Sequence, residues 1–192
     1  MNNNRGLFEF FVGNRYLCVE CTPHMNPRIL KVDRYRVVSL YRYESQIRHL
    51  LLRYKEGKDQ YLSRVFLAEE SFILPLLLRN WVVVCAPSRQ ESMVSRGFHH
   101  LEKMMDDLKI PVVSVFENVA KYDQSQSEDR SQISEYIALK DAVAITDKKV
   151  VIFDDILTSG NTMKTCLDLV RPKARRVIGF SLSYSTHYSC VK

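Results

Sequence analysis

The sequence predicts an α/β fold in which a doubly wound, mostly parallel sheet is covered by helices on both faces. Apolar runs of strand length recur in the second half of the chain, and apolar residues at helical spacing follow them. The length of 192 residues and the hydrophobic content of 46% are sufficient for one well-buried domain. Continuous apolar strands that alternate with helices are typical of parallel sheets buried on both faces.

The first 80 residues are expected to contain one strand and two helices. Residues 35–43 alternate between apolar and polar as a strand does, and apolar residues from Ile47 to Tyr54 mark one face of a helix. This helix is expected to end near Lys55, which we interpret as its polar end or as part of a site. A second helix is expected over residues 60–70. Residues 1–34 are expected to form a small amino-terminal lobe, and residues 35–192 the main domain.

From residue 81 onward, strands and helices are expected to alternate. The predicted strands are residues 81–85, 111–116, 150–153 and 176–182, and the predicted helices lie near residues 98–108 and 163–170. The interval 117–134 differs, because its residues 123–130 offer almost nothing to bury. We expect a long mobile loop there, or a loop that leads into a short helix.

Two carboxylates follow the predicted strand 150–153, and a short loop rich in hydroxyl groups follows them. The carboxylates are Asp154 and Asp155, and the loop consists of Thr158, Ser159, Gly160, Asn161 and Thr162. Because a helix is predicted to follow, the loop lies where backbone N–H groups at a helix start point outward. Such a place binds anions, and a monophosphate fits it. An ordinary turn between strand and helix is the alternative, since a helix dipole also favours acids there.

This order of strand, acid pair and Thr/Ser-rich loop resembles the 5-phosphoribosyl-1-pyrophosphate (PRPP) signature of type I phosphoribosyltransferases. The resemblance implies the sheet of that family. It also implies that loop 158–162 grips the 5′-phosphate of PRPP and that Asp154 and Asp155 hold the ribose hydroxyls. A Mg²⁺ ion would accompany PRPP and bridge the ribose hydroxyls and the diphosphate. The implied reaction is displacement of pyrophosphate from the anomeric carbon by a nucleophile.

A second group of residues follows the predicted strand 81–85. Ala86-Pro87-Ser88-Arg89 comes directly after it, and Arg96-Gly97-Phe98 opens the next predicted helix. Backbone at a strand end together with two arginines suits a diphosphate, because guanidinium groups pair bidentately with phosphate oxygens.

With the Tyr-rich strand and the Lys-x-Gly that precede it, this second group resembles the ComF family over roughly residues 16–183. These are competence-type, phosphoribosyltransferase-like proteins associated with DNA uptake. The resemblance implies that Pro87, Ser88, Arg89 and Arg96 bind pyrophosphate and that Gln124 and Arg130 belong to a flexible active-site loop. It also implies partners, namely PRPP and either single-stranded DNA or a DNA-translocating helicase.

The chain departs from the ComF pattern in two places. The interval from Gln124 to Arg130 is shorter than is usual in the family. ComF proteins also commonly begin with a zinc finger made from two Cys-x-x-Cys pairs, whereas this chain has one pair, Cys18 and Cys21, with His24 nearby. A structural zinc site needs four ligands, so we expect a relic pair of free thiols, with Zn²⁺ at Cys18 and Cys21 as the alternative.

The net charge of +6 is concentrated at the amino-terminal end. Residues 1–64 carry 12 Lys and Arg against 6 Asp and Glu, so that 12 − 6 = +6, and the remainder of the chain is neutral. This excess could attract a polyanion such as single-stranded DNA, whose contact is then expected within residues 1–64, or could be only a solvated basic surface. No apolar run approaches the roughly 20 residues that span a bilayer, and no secretory signal is recognised, so a cytoplasmic protein without membrane insertion is expected.

Three functions remain open at this level. The first is a ComF-type protein that supports the import or handling of DNA, and the second is a metabolic phosphoribosyltransferase acting on a nucleobase or an amine. The third is a PRPP sensor without catalytic activity. The adjacent His99 and His100 point in two directions on a helix, so catalysis by both is not expected.

Overall fold

A six-stranded sheet with the strand order β1-β2-β8-β7-β3-β4 forms the centre of the protein. The computed structural model describes residues 16–185, apart from residues 19, 89–92, 95 and 119–136. The strands are β1 (Arg28–Val32), β2 (Tyr35–Arg42), β3 (Trp81–Cys85), β4 (Val112–Val113), β5 (Phe116–Asn118), β6 (Ile137–Leu139), β7 (Lys149–Leu157) and β8 (Arg176–Tyr184). Within the large sheet β1 and β2 are antiparallel, and the other neighbouring strands are parallel. The predicted α/β class with a mostly parallel sheet is thereby confirmed.

Helices lie against both faces of this sheet. They are α1 (Ser45–Lys55), α2 (Ser63–Phe66), α3 (Ile73–Leu77), α4 (His100–Met105) and α5 (Asn161–Val170). On one face, Met163 of α5 lies over Gly179 of β8, where an added Cβ would come within 3.0 Å of the Met163 sulfur. The absence of a side chain at Gly179 therefore lets α5 approach this face closely. On the other face, Tyr54 of α1 donates a hydrogen bond of 2.7 Å to the backbone oxygen of His100 in α4.

Strand β7 is the central strand that leads to the predicted site. The apolar run at its start is buried, with Val150 and Phe153 fully inaccessible, because β3 and β8 flank it and helices cover it. The strand continues to Leu157, so Asp154 and Asp155 lie within the sheet rather than beyond it. The predicted order of strand, acids, loop and helix is present, with the loop of residues 158–160 leading directly into α5.

Several elements differ from the sequence-based expectation. Strand β1 was not predicted, because it is an edge strand whose alternate side chains are exposed and which lacks a continuous apolar run. The helix expected over residues 60–70 is instead a 3-10 turn at Gln60–Leu62 followed by the single turn of α2. The apolar run after it forms the short helix α3, which was also not predicted.

The region expected as one strand over residues 111–116 contributes to two sheets. Val112–Val113 forms β4 at the edge of the large sheet, while β5 pairs antiparallel with β6 in a separate two-stranded ribbon. This ribbon encloses most of the interval 117–134, and residues 119–136 lie outside the described part of the chain. The pairing joins residues that are far apart in sequence, which a local pattern cannot reveal.

The expected division at residues 34 and 35 falls in the turn between β1 and β2, which pair residue by residue from Arg28 opposite Ser39 to Val32 opposite Tyr35. The two-part organisation of the chain stays a prediction. Among the described residues, none of the helices has the length and apolar character needed to cross a bilayer.

Glu70 is a buried carboxyl group whose ionisation affects stability. Its side chain is 6% exposed, one oxygen accepts a weak hydrogen bond of 3.4 Å from the Tyr41 hydroxyl, and the other has no partner among the described residues. Burial raises the pKa of Glu70 to about 7, from an ordinary value of 4.5. The protonated form is therefore the one that the folded protein favours.

We expect Glu70→Gln to raise the melting temperature at pH 8 and to change it little at pH 5. The folded-state pKa is raised, so the stabilising contribution is fully present below the unfolded-state value and is lost as the pH rises through about 7. The wild-type protein should lose up to roughly 3 kcal/mol over this interval, and the neutral variant should not. Thermal unfolding at the two pH values measures the difference, with the exposed Glu56→Gln as control. An equal gain at both pH values would contradict the assignment.

Candidate active site

The predicted site segments meet at the carboxyl edge of the large sheet. β3 and β7 are parallel neighbours with Cys85 opposite Phe153, and the ladder continues as the Ala86 amide donates to the Phe153 oxygen at 2.8 Å. The chain that leaves β3 through Pro87 and Ser88 therefore lies beside the acid pair of β7. This edge is where open α/β sheets bind ligands.

Loop 158–162 has the geometry of an anion-binding helix start. Gly160 is the N-cap of α5 and has a φ of 78°, a left-handed conformation that favours glycine. The exposed Ser159 hydroxyl accepts a 3.4 Å hydrogen bond from the Asn161 amide, and the side chain of Thr158 is exposed. The first amides of the ten-residue helix α5 have no acceptors within the helix and carry its positive dipole end. Such a helix start can bind an anion.

The two adjacent carboxylates lie on opposite faces of the sheet, because successive strand residues alternate. Asp154 shares its face with Ile152 and Gly179, against which α5 packs. Asp155 lies on the other face, toward α1 and α4. The two acids are adjacent in sequence, but their side chains therefore lie in two different environments.

Asp155 is 5% exposed and has two cationic or hydrogen-bonding neighbours. Its Oδ2 forms an ion pair with Nζ of Lys55 and lies 2.9 Å from Nε2 of His100. Burial opposes its ionisation, but the hydrogen bond from His100 and the charge of Lys55 outweigh it and hold the pKa of Asp155 well below its usual range. Burial lowers the pKa of His100, against the opposing effect of Asp155, so the imidazole is neutral at physiological pH.

Asp154 is partly exposed, and its Oδ1 accepts a 2.9 Å hydrogen bond from the backbone amide of Asp155. Burial, followed by the charge of Asp155, raises the pKa of Asp154 to about 7. An added cation stabilises the ionised form of a carboxyl group whose pKa is raised in this way. Mg²⁺ is usually held by one or two carboxylates together with substrate oxygens, so Asp154 fits as its protein ligand, whereas the carboxylate of Asp155 is already paired with Lys55.

The segment after β3 is held in place at Ser88. Its hydroxyl lies 3.3 Å from Nδ1 of His100, and its backbone oxygen accepts a 2.6 Å hydrogen bond from the side-chain amide of Asn118 at the end of β5. Arg96 is partly buried, and its positive charge is among the causes that lower the pKa of His100. Arg89 lies outside the described residues.

The sequence-based interpretation missed three residues of this edge. His100 was set aside with its neighbour, although its spacing to the apolar Met104 places both on the buried face of α4 and could have identified it. Lys55 was left open, and it lies at the end of α1 facing Asp155. No feature of the sequence pointed to Asn118, because its contact with Ser88 depends on the pairing of β5 with β6, which was not predicted.

Other predicted site residues lie apart from this edge or beyond the described chain. Gln124 and Arg130 are among the residues that the structure does not describe. Cys18 and Cys21 are exposed free thiols, joined by a 3.1 Å hydrogen bond from the Cys21 amide to the Cys18 oxygen. Within the described ranges, there is no group of three or more His, Cys, Asp or Glu side chains arranged to hold a metal ion. Zinc at this pair stays an alternative.

Comparison with known structures gives low sequence identities. Hypoxanthine phosphoribosyltransferase from Staphylococcus aureus is 16% identical, with 72% of this chain and 69% of that chain covered and a TM-score of 0.41. Adenine phosphoribosyltransferase from Leishmania tarentolae is 13% identical, with 82% and 94% covered and a TM-score of 0.46. The adenine enzyme from Trypanosoma brucei is 12% identical, with 84% and 87% covered and a TM-score of 0.43.

Among curated proteins, no sequence matches this chain significantly. The family described as the phosphoribosyl transferase domain does match it, over residues 79–187. That range is more than half of the chain, and it contains β3, β7, β8 and loop 158–162, the elements that build the carboxyl edge. The protein therefore belongs to the phosphoribosyl transferase domain family.

Proposed function

We propose that this protein binds PRPP together with Mg²⁺ at the carboxyl edge of its sheet. The observation that carries the proposal is the convergence of an anion-binding helix start, a partly exposed carboxylate with a raised pKa, and a constrained segment after β3. These features correspond to the three parts of PRPP, namely a monophosphate, a ribose with two hydroxyls, and a diphosphate. The family membership of residues 79–187 supports the same ligand.

Each part of the ligand has a proposed partner. The amides and hydroxyls of loop 158–162 bind the 5′-phosphate, and Asp154 accepts hydrogen bonds from the ribose hydroxyls. The segment of Pro87, Ser88 and Arg89 binds the diphosphate together with Arg96. When bound, Mg²⁺ supplies positive charge that stabilises the departing pyrophosphate. Gln124 and Arg130 are proposed to belong to a loop that covers the ligand.

The proposed reaction replaces one bond at the anomeric carbon of PRPP. The bond from this carbon to the pyrophosphate oxygen breaks, and a bond to the nucleophile forms. The protein contributes by orienting the ribose through Asp154 and by placing hydrogen-bond donors and arginines where charge develops on the leaving group. If pyrophosphate is released only when a nucleobase or an amine is added, the protein is a metabolic transferase. If the protein binds PRPP but releases no pyrophosphate when any of these acceptors is added, it is a sensor.

We expect Asp154→Asn to reduce the affinity for PRPP by at least about tenfold in the presence of Mg²⁺, because it removes the carboxylate available to the ribose and the metal. The melting temperature at pH 8 should stay equal or rise, since burial disfavours the charged form of Asp154. Isothermal titration calorimetry measures the affinity, and thermal unfolding measures the stability.

Asp147→Asn is the matched control for this variant. Asp147 is exposed, lies before the amino end of β7, and has a φ of 58° that asparagine tolerates. It should bind PRPP as the wild-type protein does. Unchanged affinity in Asp154→Asn, or an equal loss in both variants, would contradict the assignment of Asp154 to the ligand.

We further propose a ComF-type role in natural competence, in which the protein handles single-stranded DNA and has a translocating helicase as its partner. The positive charges of the described residues favour a DNA contact away from the carboxyl edge. Arg171, Lys173, Arg175 and Arg176 follow one another within six residues at the amino edge of the sheet, with no acid between them. Arg34, Arg171, Arg175 and Arg176 border a cleft of about 400 Å³.

Basic side chains outnumber acidic ones among the described residues that line this cleft. The acid that lines it, Asp168, already contacts Arg34 at 2.5 Å and Lys164 at 2.9 Å. In the amino-terminal half, by contrast, Arg42 pairs with Glu44 and Arg53 pairs with Asp59. The local positive potential should therefore be greater at the amino edge than on the basic surface of residues 1–64.

We expect replacement of Arg171, Lys173, Arg175 and Arg176 by glutamine to weaken binding of single-stranded DNA and to reduce its salt dependence. Each phosphate contact releases counterions, so loss of four contacts should lower the slope of log affinity against log salt by roughly 3. Replacement of Arg42, Arg48, Arg53 and Lys58 removes the same charge and serves as the matched control. Fluorescence anisotropy with an oligonucleotide at several salt concentrations measures both. A larger effect of the control set would place the contact on the amino-terminal surface.

A further inference from the structure

Four residues from separate elements form a continuous polar cluster beneath the carboxyl edge. Lys55 at the end of α1 contacts Asp155 of β7, Asp155 contacts His100 of α4, and His100 contacts Ser88 after β3. Asp155 and His100 are each about 5% exposed, so the middle of the cluster is inaccessible to solvent. We name these four residues the Asp155 cluster.

The hydrogen bonds of the Asp155 cluster have a defined direction. An ionised carboxylate can only accept, so Nε2 of His100 must carry the hydrogen and donate to Asp155 at 2.9 Å. A neutral imidazole then has a lone pair on Nδ1, which accepts a hydrogen bond from the Ser88 hydroxyl at 3.3 Å. Asp155 therefore determines the tautomer of His100, and His100 determines the orientation of the Ser88 hydroxyl.

The backbone of Ser88 is held from a second direction. Its carbonyl oxygen accepts the 2.6 Å hydrogen bond from Asn118, while its side chain is held by His100. Two residues earlier, Ala86 is held against β7, because its amide donates a hydrogen bond of 2.8 Å to the Phe153 oxygen. A segment held at both ends in this way has little freedom to rearrange when a ligand binds.

We propose that Asp155 and His100 are positioning residues that act through Ser88 on the diphosphate part of the site. This inference rests on the proposed PRPP-binding function and divides the acid pair between two roles. Asp154 faces the ribose and the metal, while Asp155 uses its charge inside the protein to orient His100. The ligand then meets a preorganised Ser88, so less binding energy is lost in ordering the segment.

The proposal is tested by measuring three ligands separately by calorimetry, namely PRPP and pyrophosphate, each with Mg²⁺, and ribose 5-phosphate. His100→Gln retains an amide that can reach Asp155 from the position of Nε2, so that Asp155 keeps a partner, but it has no second polar group at the position of Nδ1 to accept from Ser88. We expect this variant to lose about tenfold in affinity for PRPP and pyrophosphate and less than about twofold for ribose 5-phosphate. His99→Gln is the matched control, because His99 is the neighbouring histidine outside the cluster, and it should retain wild-type affinities.

A double-mutant cycle with Ser88→Ala identifies whether His100 acts through Ser88. If it does, the double variant should bind pyrophosphate as weakly as Ser88→Ala alone, within about twofold. If the loss of affinity in the double variant instead equalled the product of the two single losses, His100 and Ser88 would act independently, and the proposal would be overturned. Equal losses for ribose 5-phosphate and pyrophosphate would also overturn it, since they would indicate general disruption of the fold. Wild-type protein that binds none of the three ligands would instead contradict the proposed function itself.

Discussion

The arrangement of the carboxyl edge depends on one buried charge, the carboxylate of Asp155. An ionised group with 5% exposure is tolerated only when it is paired and hydrogen-bonded, and here Lys55 and His100 meet that requirement. Because these partners come from α1 and α4, the charge connects two helices to the central strand. Loss of either partner would leave a buried charge without full compensation, which is usually more harmful to stability than loss of the whole pair.

The same charge also influences the opposite face of the sheet. Asp154 lies one residue away on the opposite face, and the charge of Asp155 adds to burial in raising its pKa. A partly exposed carboxylate that is reluctant to ionise favours the approach of a cation or of hydroxyl donors. Two identical residues at adjacent positions thus have pKa values displaced in opposite directions, and their different surroundings are the cause.

Much of this site could be predicted from local sequence, and some of it could not. The order of apolar strand, acid pair, glycine-containing loop and helix is a local property, so Asp154, Asp155 and loop 158–162 could be proposed as site residues from the sequence. Ser88 followed from its place after a predicted strand. Lys55 was only an open candidate and His100 was set aside, because their contacts with Asp155 span 100 and 55 residues, distances that a pattern of neighbours does not register.

The sequence by itself determined the α/β class, the strands β3, β7 and β8, and the helix that follows the loop, because periodicity and burial are encoded within short windows. Only the tertiary structure decided which face each acid occupies and what it contacts. It also decided that β5 pairs with β6 and thereby brings Asn118 to Ser88. The physical reason is that strand register and helix packing set side-chain partners across the sheet, and these depend on residues far apart in the chain.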